Sequence, residues 1–163
     1  MFSDLQDQIN VLALSILPVF LSLKPNIHLN GPEDVIKKSH VLDSFILIVE
    51  DDGKIIERIA EVDKFHTDHK LTFIRPLVIL CGTFDNVQKT YVLINGYKHS
   101  FDNILKAVQF CFISYKALQL DFSELCKPAW AFIQRKIYKI QLSRGISCVD
   151  NLVRLLTNLN VQS

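Results

Sequence analysis

The sequence is poor in cysteine, and its cysteines are far apart. The four cysteines are Cys81, Cys111, Cys126 and Cys148, and no two of them form a C-x-x-C pair. Structural zinc sites usually use closely spaced ligand pairs, so this spacing argues against zinc. Two disulfides remain the alternative for a secreted protein, although the chain lacks the short, loop-rich character of disulfide scaffolds. We therefore expect free thiols and an intracellular location, in the cytoplasm or the nucleus.

Glycine is also scarce, which excludes several kinds of active site. The chain has five glycines, none of them clustered, and it contains no nucleophile elbow, phosphate-binding loop or dinucleotide fingerprint. The compact group His66, Asp68 and His69, with His99 from a predicted hairpin, could bind a metal, but a solvated helix end explains it better. Cys126 also has a functional and a structural interpretation. Lys127 and the start of a helix could lower the pKa of its thiol, but lone thiols are usually structural. The sequence predicts a non-enzyme without cofactor or metal.

Neither an excess of one charge nor a membrane-length apolar segment is present. The chain has eighteen basic and seventeen acidic residues, so its net charge implies neither a polyanion partner nor a membrane surface. The longest apolar run, residues 11–23, is too short to span a bilayer and contains Pro18. Asp4 and Asp7 precede it where a signal peptide carries positive charge. We expect a packed helix and no membrane contact.

Apolar residues are abundant. They make up 49% of the chain, including eleven phenylalanines, more than we expect one small core to absorb. A surplus of this kind predicts an apolar surface patch covered by a partner or by a second copy.

The first segment, residues 1–24, is predicted to be a helix. Ser3 and Gln6 can form a capping box, and Pro18 should kink the helix or begin a second one. One apolar stripe recurs at helical spacing and is expected to face the core or an interface. Its members are Leu5, Ile9, Leu12, Ile16 and Phe20.

Residues 45–101 are predicted to form the sheet. Strands at 45–49 and 77–81 flank a helix at 51–65, which makes a βαβ unit with parallel strands. A strand at 90–94 and a polar edge strand at 97–101 are joined by Asn95-Gly96, the strongest short-range hairpin signal.

Residues 102–160 are predicted to be helical. An apolar helix capped by Asp102 runs to about residue 120, a second spans 129–140, and a short one closes the chain at 149–159. The whole chain, 1–163, is then one α+β domain: a small mixed sheet in β-α-β-β-β order, packed against N-terminal and C-terminal helices.

The densest basic group lies near the second of these helices. Arg135 and Lys139 are four residues apart and would share a helix face, which could contact phosphates, although a solvated face explains it better. The group consists of Lys127, Arg135, Lys136, Lys139 and Arg144.

Packing motifs spread over most of the chain, from about Leu12 onward, resemble a known family. They are an apolar strand with a glycine at 76–82, a strand and turn at 91–96, A-x-x-x-C-F at 107–112, an aromatic stretch at 118–122 and W-x-F-x-Q at 130–134. These motifs are similar to the C-terminal portion of a scattered family of uncharacterised, transposon-derived animal proteins. Phe122 stands where that family has tyrosine. Larger members carry nucleic-acid-binding or interaction modules ahead of this segment. The matching motifs do not include such a module, so we do not expect the resemblance to carry over a DNA-binding role.

Two functions are favoured, and an enzyme whose site is assembled from distant residues is the third possibility. The leading hypothesis is a non-enzymatic domain that self-associates or docks on another protein, with the N-terminal stripe as its interface. The alternative is a nucleic-acid-associated domain, inherited from a mobile element, that uses the basic group.

Overall fold

The computed structural model describes residues 2–21, 36–71, 75–83, 85–141 and 147–160. The helices are α1 (Phe2–Leu21), α2 (Lys38–Asp43), α3 (Ile55–Asp68, preceded by a 3-10 turn at Asp52–Lys54), α4 (Ile104–Ala117), α5 (Lys127–Phe132, continued by a π-helical turn at Ile133–Ile137) and α6 (Ser147–Asn160). The strands are β1 (Ile46–Val49), β2 (Leu77–Thr83), β3 (Asn86–Ile94) and β4 (Tyr97–Phe101).

The strands form one mixed sheet in the order β1-β2-β3-β4. β1 pairs parallel with β2, while β2, β3 and β4 are antiparallel neighbours. The predicted fold class, the βαβ unit and the edge position of β4 are thereby confirmed. Asn95 and Gly96 join β3 to β4 with φ of 49° and 83°, the left-handed conformation that the hairpin prediction requires.

A bulge interrupts the β2–β3 pairing between Cys81 and Gly82. Gly82 has φ of +112°, and a Cβ there would lie 2.2 Å from the Asn86 carbonyl oxygen. Only glycine fits this position, because the backbone of the neighbouring strand occupies the space of a side chain.

Different helices pack on the two faces of the sheet. Residues paired across strands share a face, so Tyr91 and Lys98 lie on one face and His99 and Phe101 on the other. Phe110 of α4 packs on His99 and Phe101, which places α4 on their face. The Asp52–Lys54 turn and α3 lie on the Tyr91 face, with α3 over β1.

The core is centred on aromatic rings between α4 and α5. Trp130 is fully buried, with its ring centroid 4.7 Å from that of Phe45 and 5.6 Å from that of Tyr115. Phe112 stacks on Tyr138 at 4.4 Å. The phenylalanines are better accommodated than composition predicts: among the described residues, Phe20 is the one phenylalanine in the exposed apolar set, which is otherwise mainly Ile and Leu.

Several predicted boundaries are wrong. α1 is continuous through Pro18, which lies on its buried side, so the helix does not restart there. α4 ends at Ala117 rather than near residue 120, and β3 begins four residues earlier than predicted, at Asn86. The helix predicted over residues 129–140 ends in the π-helical turn, with Lys139 at φ of 54° beyond it.

Candidate interaction surface

α1 packs on the domain through one side. It contacts α2, α4 and α5, and its buried residues are Val11, Leu14, Ser15, Pro18 and Leu21. The Ser15 hydroxyl donates a hydrogen bond of 2.7 Å to the Val11 carbonyl oxygen, so its burial leaves no unsatisfied donor. Near the start of the helix, the Gln8 amide donates to the Asp85 carbonyl oxygen at 2.8 Å.

The opposite side of α1 is apolar and exposed. Ile9, Leu12, Ile16 and Phe20, which we call the outer face of α1, are 51%, 52%, 51% and 50% exposed. The expectation that this stripe faces the core is therefore wrong, whereas its exposure agrees with the alternative that it forms an interface. The side chain of Leu5, the fifth predicted member, lies outside the described residues. Ala13, also exposed, lies within the same face.

The outer face of α1 is unusual because its own helix carries no charged residue from Gln8 onward. The stretch from Gln8 to Leu23 contains no Asp, Glu, Lys or Arg. Surface helices of globular proteins normally place charged and polar residues opposite their buried stripe. A helix apolar on both sides is normally covered on both sides, so something is expected to cover the outer face of α1.

The described members of the predicted basic group differ in their surroundings. Arg135 forms an ion pair with Asp150 of α6, and Lys136 Nζ lies 3.5 Å from the Thr157 hydroxyl. Because α5 gives way to the π-helical turn, Arg135 and Lys139 do not share a regular helix face, contrary to expectation. Lys127 is exposed at the start of α5, and Arg144 lies outside the described residues.

The three histidines of the predicted metal group contact other protein groups. His66 is 2% exposed; its Nδ1 lies 2.7 Å from the Val62 carbonyl oxygen and its Nε2 lies 3.3 Å from Ser44 Oγ. His69 Nδ1 lies 2.8 Å from the Phe65 carbonyl oxygen, while His99 packs on α4 at the far side of the sheet. Within the described residues, no group of three or more His, Cys, Asp or Glu side chains could hold a metal.

A polar pocket of about 280 Å³ lies between α2 and α3. The Arg58 guanidinium lines it and donates hydrogen bonds to Asp43, at 3.2 Å, and to Glu61. Burial raises the pKa of the Asp43 carboxyl and lowers the pKa of His66. Ser39 also lines the pocket but has no hydrogen bond to a histidine in the part of the chain that the structure describes. The described lining of the pocket is therefore held together by ion pairs between Arg58 and the two carboxylates.

Sequence reasoning missed a polar cluster centred on Asp52. Its Oδ2 accepts hydrogen bonds from Lys89 Nζ at 2.7 Å and from the Tyr91 hydroxyl at 2.8 Å. These bonds, that of Lys89 first, lower the pKa of the Asp52 carboxyl to about 2. The neighbouring Asp51 caps the 3-10 turn by accepting from the Gly53 N–H at 2.7 Å. The cluster ties that turn to the middle of β3.

The cysteines are free thiols, and three of the four are buried. Cys81, Cys111 and Cys126 are buried, Cys148 is half-buried, and none forms a disulfide. Burial raises the pKa of the Cys126 thiol to about 12, and the thiol donates to the Ser44 carbonyl oxygen at 3.1 Å. The idea that Lys127 lowers this pKa is therefore wrong, because burial outweighs the nearby charge.

Comparisons with protein-family models, with curated proteins and with solved structures each find no match to this chain.

Proposed function

We propose that this chain is a non-enzymatic protein-interaction domain that associates with a second copy of itself through the outer face of α1. One observation carries the proposal: four large apolar side chains are each about half exposed along a helix stretch without any charge. Their burial would remove apolar surface from water without desolvating an ion.

The residue pattern suits an antiparallel pairing of two copies. Ile9, Leu12, Ile16 and Phe20 are spaced by three, four and four residues, so reversing one helix places Ile9 opposite Phe20 and Leu12 opposite Ile16. Ala13 lies near the middle, where a small side chain lets two helices approach closely. The same patch is then used by both copies, as a two-fold interface requires.

A membrane surface fits this face less well than a second copy does. Helices that lie on membranes carry Lys and Arg on their polar side, whereas the charged residues of the α1 segment are acidic, Asp4 and Asp7. Among the described residues, no helix is long and apolar enough to cross a membrane.

The expected dimer is weak. Burying one such side chain fully stabilises by about 1.5–3 kcal/mol, so eight half-exposed side chains supply roughly 6–12 kcal/mol. Association itself costs about 4–15 kcal/mol in lost freedom. The two ranges overlap, so the net stabilisation is small. A millimolar dissociation constant needs about 4 kcal/mol and a micromolar one about 8 kcal/mol, so the dimer is expected at the weak, millimolar end.

The test is the mass in solution as a function of protein concentration. Light scattering or sedimentation should show a mass rising from 18.7 kDa towards twice that value. Ile16→Lys should hold the protein at the monomer mass. Ile113→Lys is the matched control, because Ile113 is also half exposed but lies on α4. A wild-type protein that stays monomeric at millimolar concentration, or equal effects of the two variants, would contradict the proposal.

The location of the protein, the nucleic-acid alternative and the mobile-element origin depend on observations other than the outer face of α1. The free thiols favour an intracellular location, in the cytoplasm or the nucleus. The nucleic-acid alternative has less support than the sequence suggested, because Arg135 is paired with Asp150. The mobile-element origin implied by the resemblance remains a prediction.

A further inference from the structure

β4 has an open outer edge. In the part of the chain that the structure describes, it is the last strand of the sheet, with β3 on its inner side. Ile94 and Tyr97 close the two-residue turn as a hydrogen-bonded pair, and such pairs alternate along an antiparallel ladder. The backbone N–H and C=O groups of Lys98 and Ser100 therefore point away from β3, towards the outer edge.

β4 itself carries one cationic side chain, Lys98, and no anionic one. β4 reads Tyr-Lys-His-Ser-Phe and contains no acidic residue. Lys98 Nζ lies 3.6 Å from Asp52 Oδ1, a looser contact than the 2.7 Å between Lys89 Nζ and Asp52 Oδ2. The Lys98 side chain is 43% exposed. Lys98 can thus donate hydrogen bonds to an anionic group that arrives at the edge.

An apolar groove of about 660 Å³ opens beside the turn end of β4. Its lining combines one side of α3 with the end of β3 and the start of β4. The apolar part is Ile55, Ile56, Ile59 and Leu93, and the charged part is Asp52, Arg75 and Lys98. Ile56 is 81% exposed, although its neighbour Ile55 is buried. The groove can receive a large apolar side chain on the same face of the sheet as Lys98.

A second copy of β4 is a poor occupant of this edge. Antiparallel pairing of two β4 strands about His99 would oppose the two copies of His99 and place the two copies of Lys98 diagonally on one face. Lysine on an edge strand is a common device against such pairing. An acidic chain has the opposite preference, because its carboxylates would lie beside Lys98.

We propose that the outer edge of β4 binds an extended acidic segment of a protein partner, which joins the sheet as a fifth strand. The segment pairs its backbone with the outward N–H and C=O groups of Lys98 and Ser100. A carboxylate of the segment contacts Lys98 Nζ, and a large apolar side chain two residues away, on the same face, enters the groove lined by Ile56. This surface shares no residue with the outer face of α1.

A defined peptide tests the proposal on the full chain. The probe is a fluorescent peptide, Thr-Glu-Thr-Leu-Thr-Glu-Thr, blocked at both ends, which places its glutamates and leucine on one face. Anisotropy titration should show saturable binding, and a peptide with lysine in place of both glutamates should not bind. Lys98→Glu should weaken binding at least about tenfold through charge repulsion. The matched control, Lys127→Glu, reverses an exposed lysine on α5 and should leave binding unchanged.

Ser100→Pro separates strand addition from simple charge attraction. Proline is tolerated on an edge strand where the N–H points to solvent, so the β3–β4 ladder is retained, while the outer donor is lost. Binding should fall at least about tenfold. Unchanged peptide affinity in Ser100→Pro would overturn the proposal. A lower mass of Ser100→Pro in solution would also overturn it, because the edge would then be a contact between copies. If this variant does not fold, amide exchange of the wild type decides: the peptide must slow exchange at Lys98 and Ser100, and unchanged rates overturn the proposal.

Discussion

Val11 and Leu12 are adjacent in α1 but lie in opposite environments. Val11 is 1% exposed and belongs to the core, whereas Leu12 is 52% exposed on the outer face of α1. The same substitution to aspartate at each position therefore separates the contribution of α1 to folding from its contribution to association.

Val11→Asp should destabilise the fold severely. It removes about 1.5–3 kcal/mol of apolar burial and places a carboxylate in the core without a partner, which adds several kcal/mol. A domain of this size has about 5–15 kcal/mol in total, so much of it would be lost. Leu12→Asp affects the monomer far less, by roughly 1 kcal/mol, because half of the leucine is already in water.

For association between copies, the order of the two variants should be reversed, with the larger direct effect from Leu12→Asp. Leu12→Asp removes half of a leucine burial from each copy, together about 1.5–3 kcal/mol, which weakens the dimer roughly tenfold to hundredfold. Urea denaturation followed by circular dichroism measures stability, and sedimentation measures mass. Equal destabilisation by the two variants would show that the assigned orientation of α1 is wrong. If Leu12→Asp changes neither stability nor mass, the outer face of α1 is not an interface.

Three further predictions concern other parts of the chain. Alkylation of the unfolded protein without reductant should modify all four cysteines, and two intact disulfides would contradict the intracellular assignment. Burial lowers the pKa of His66, so the unfolded state binds a proton more readily than the folded state does. The free energy of unfolding should therefore be retained above about pH 6.5 and decline below it. Melting temperature measured against pH should show this decline, and the decline should be less steep in His66→Gln. The double variant Arg135→Glu with Lys139→Glu should change the free energy of unfolding by less than about 1 kcal/mol, since the Arg135–Asp150 pair is exposed. If this variant loses a nucleic-acid binding that the wild type shows, with a reduced salt dependence, the alternative function would be favoured.

The orientation of α1 could not be predicted because the helix carries two apolar stripes. Both recur at helical spacing, and periodicity alone does not tell which one faces the core. The stripe with the larger apolar side chains was expected inside, yet the structure buries the side with Ser15 and Pro18. Ser15 satisfies its hydroxyl within the helix, so the less apolar side can be buried at little cost. The more apolar side remains outside, which is the main reason for proposing a partner there.

The strands, the hairpin and the fold class were predictable because their signals are local. The short apolar runs of β1 and β2 and the Asn95-Gly96 turn each specify their structure within a few residues. The Asp52 cluster was not predictable, because Lys89 and Tyr91 lie far along the chain and meet Asp52 only through the β2–β3 register. The same holds for the β4 groove, which requires α3 and the hairpin to meet on one face of the sheet.

The two proposed surfaces should respond differently to salt, because their chemistry differs. The outer face of α1 has no charge, so the proposed association through it should be hydrophobic, unaffected by screening and strengthened by sulfate. The β4 edge depends on the exposed charge of Lys98, and the screening length falls from about 10 Å at 0.1 M salt to about 3 Å at 1 M. Raising sodium chloride across this range should weaken binding of the acidic peptide while the mass of the protein stays the same. A parallel loss of both would mean that peptide binding and association depend on one surface, and the two proposals could not both stand.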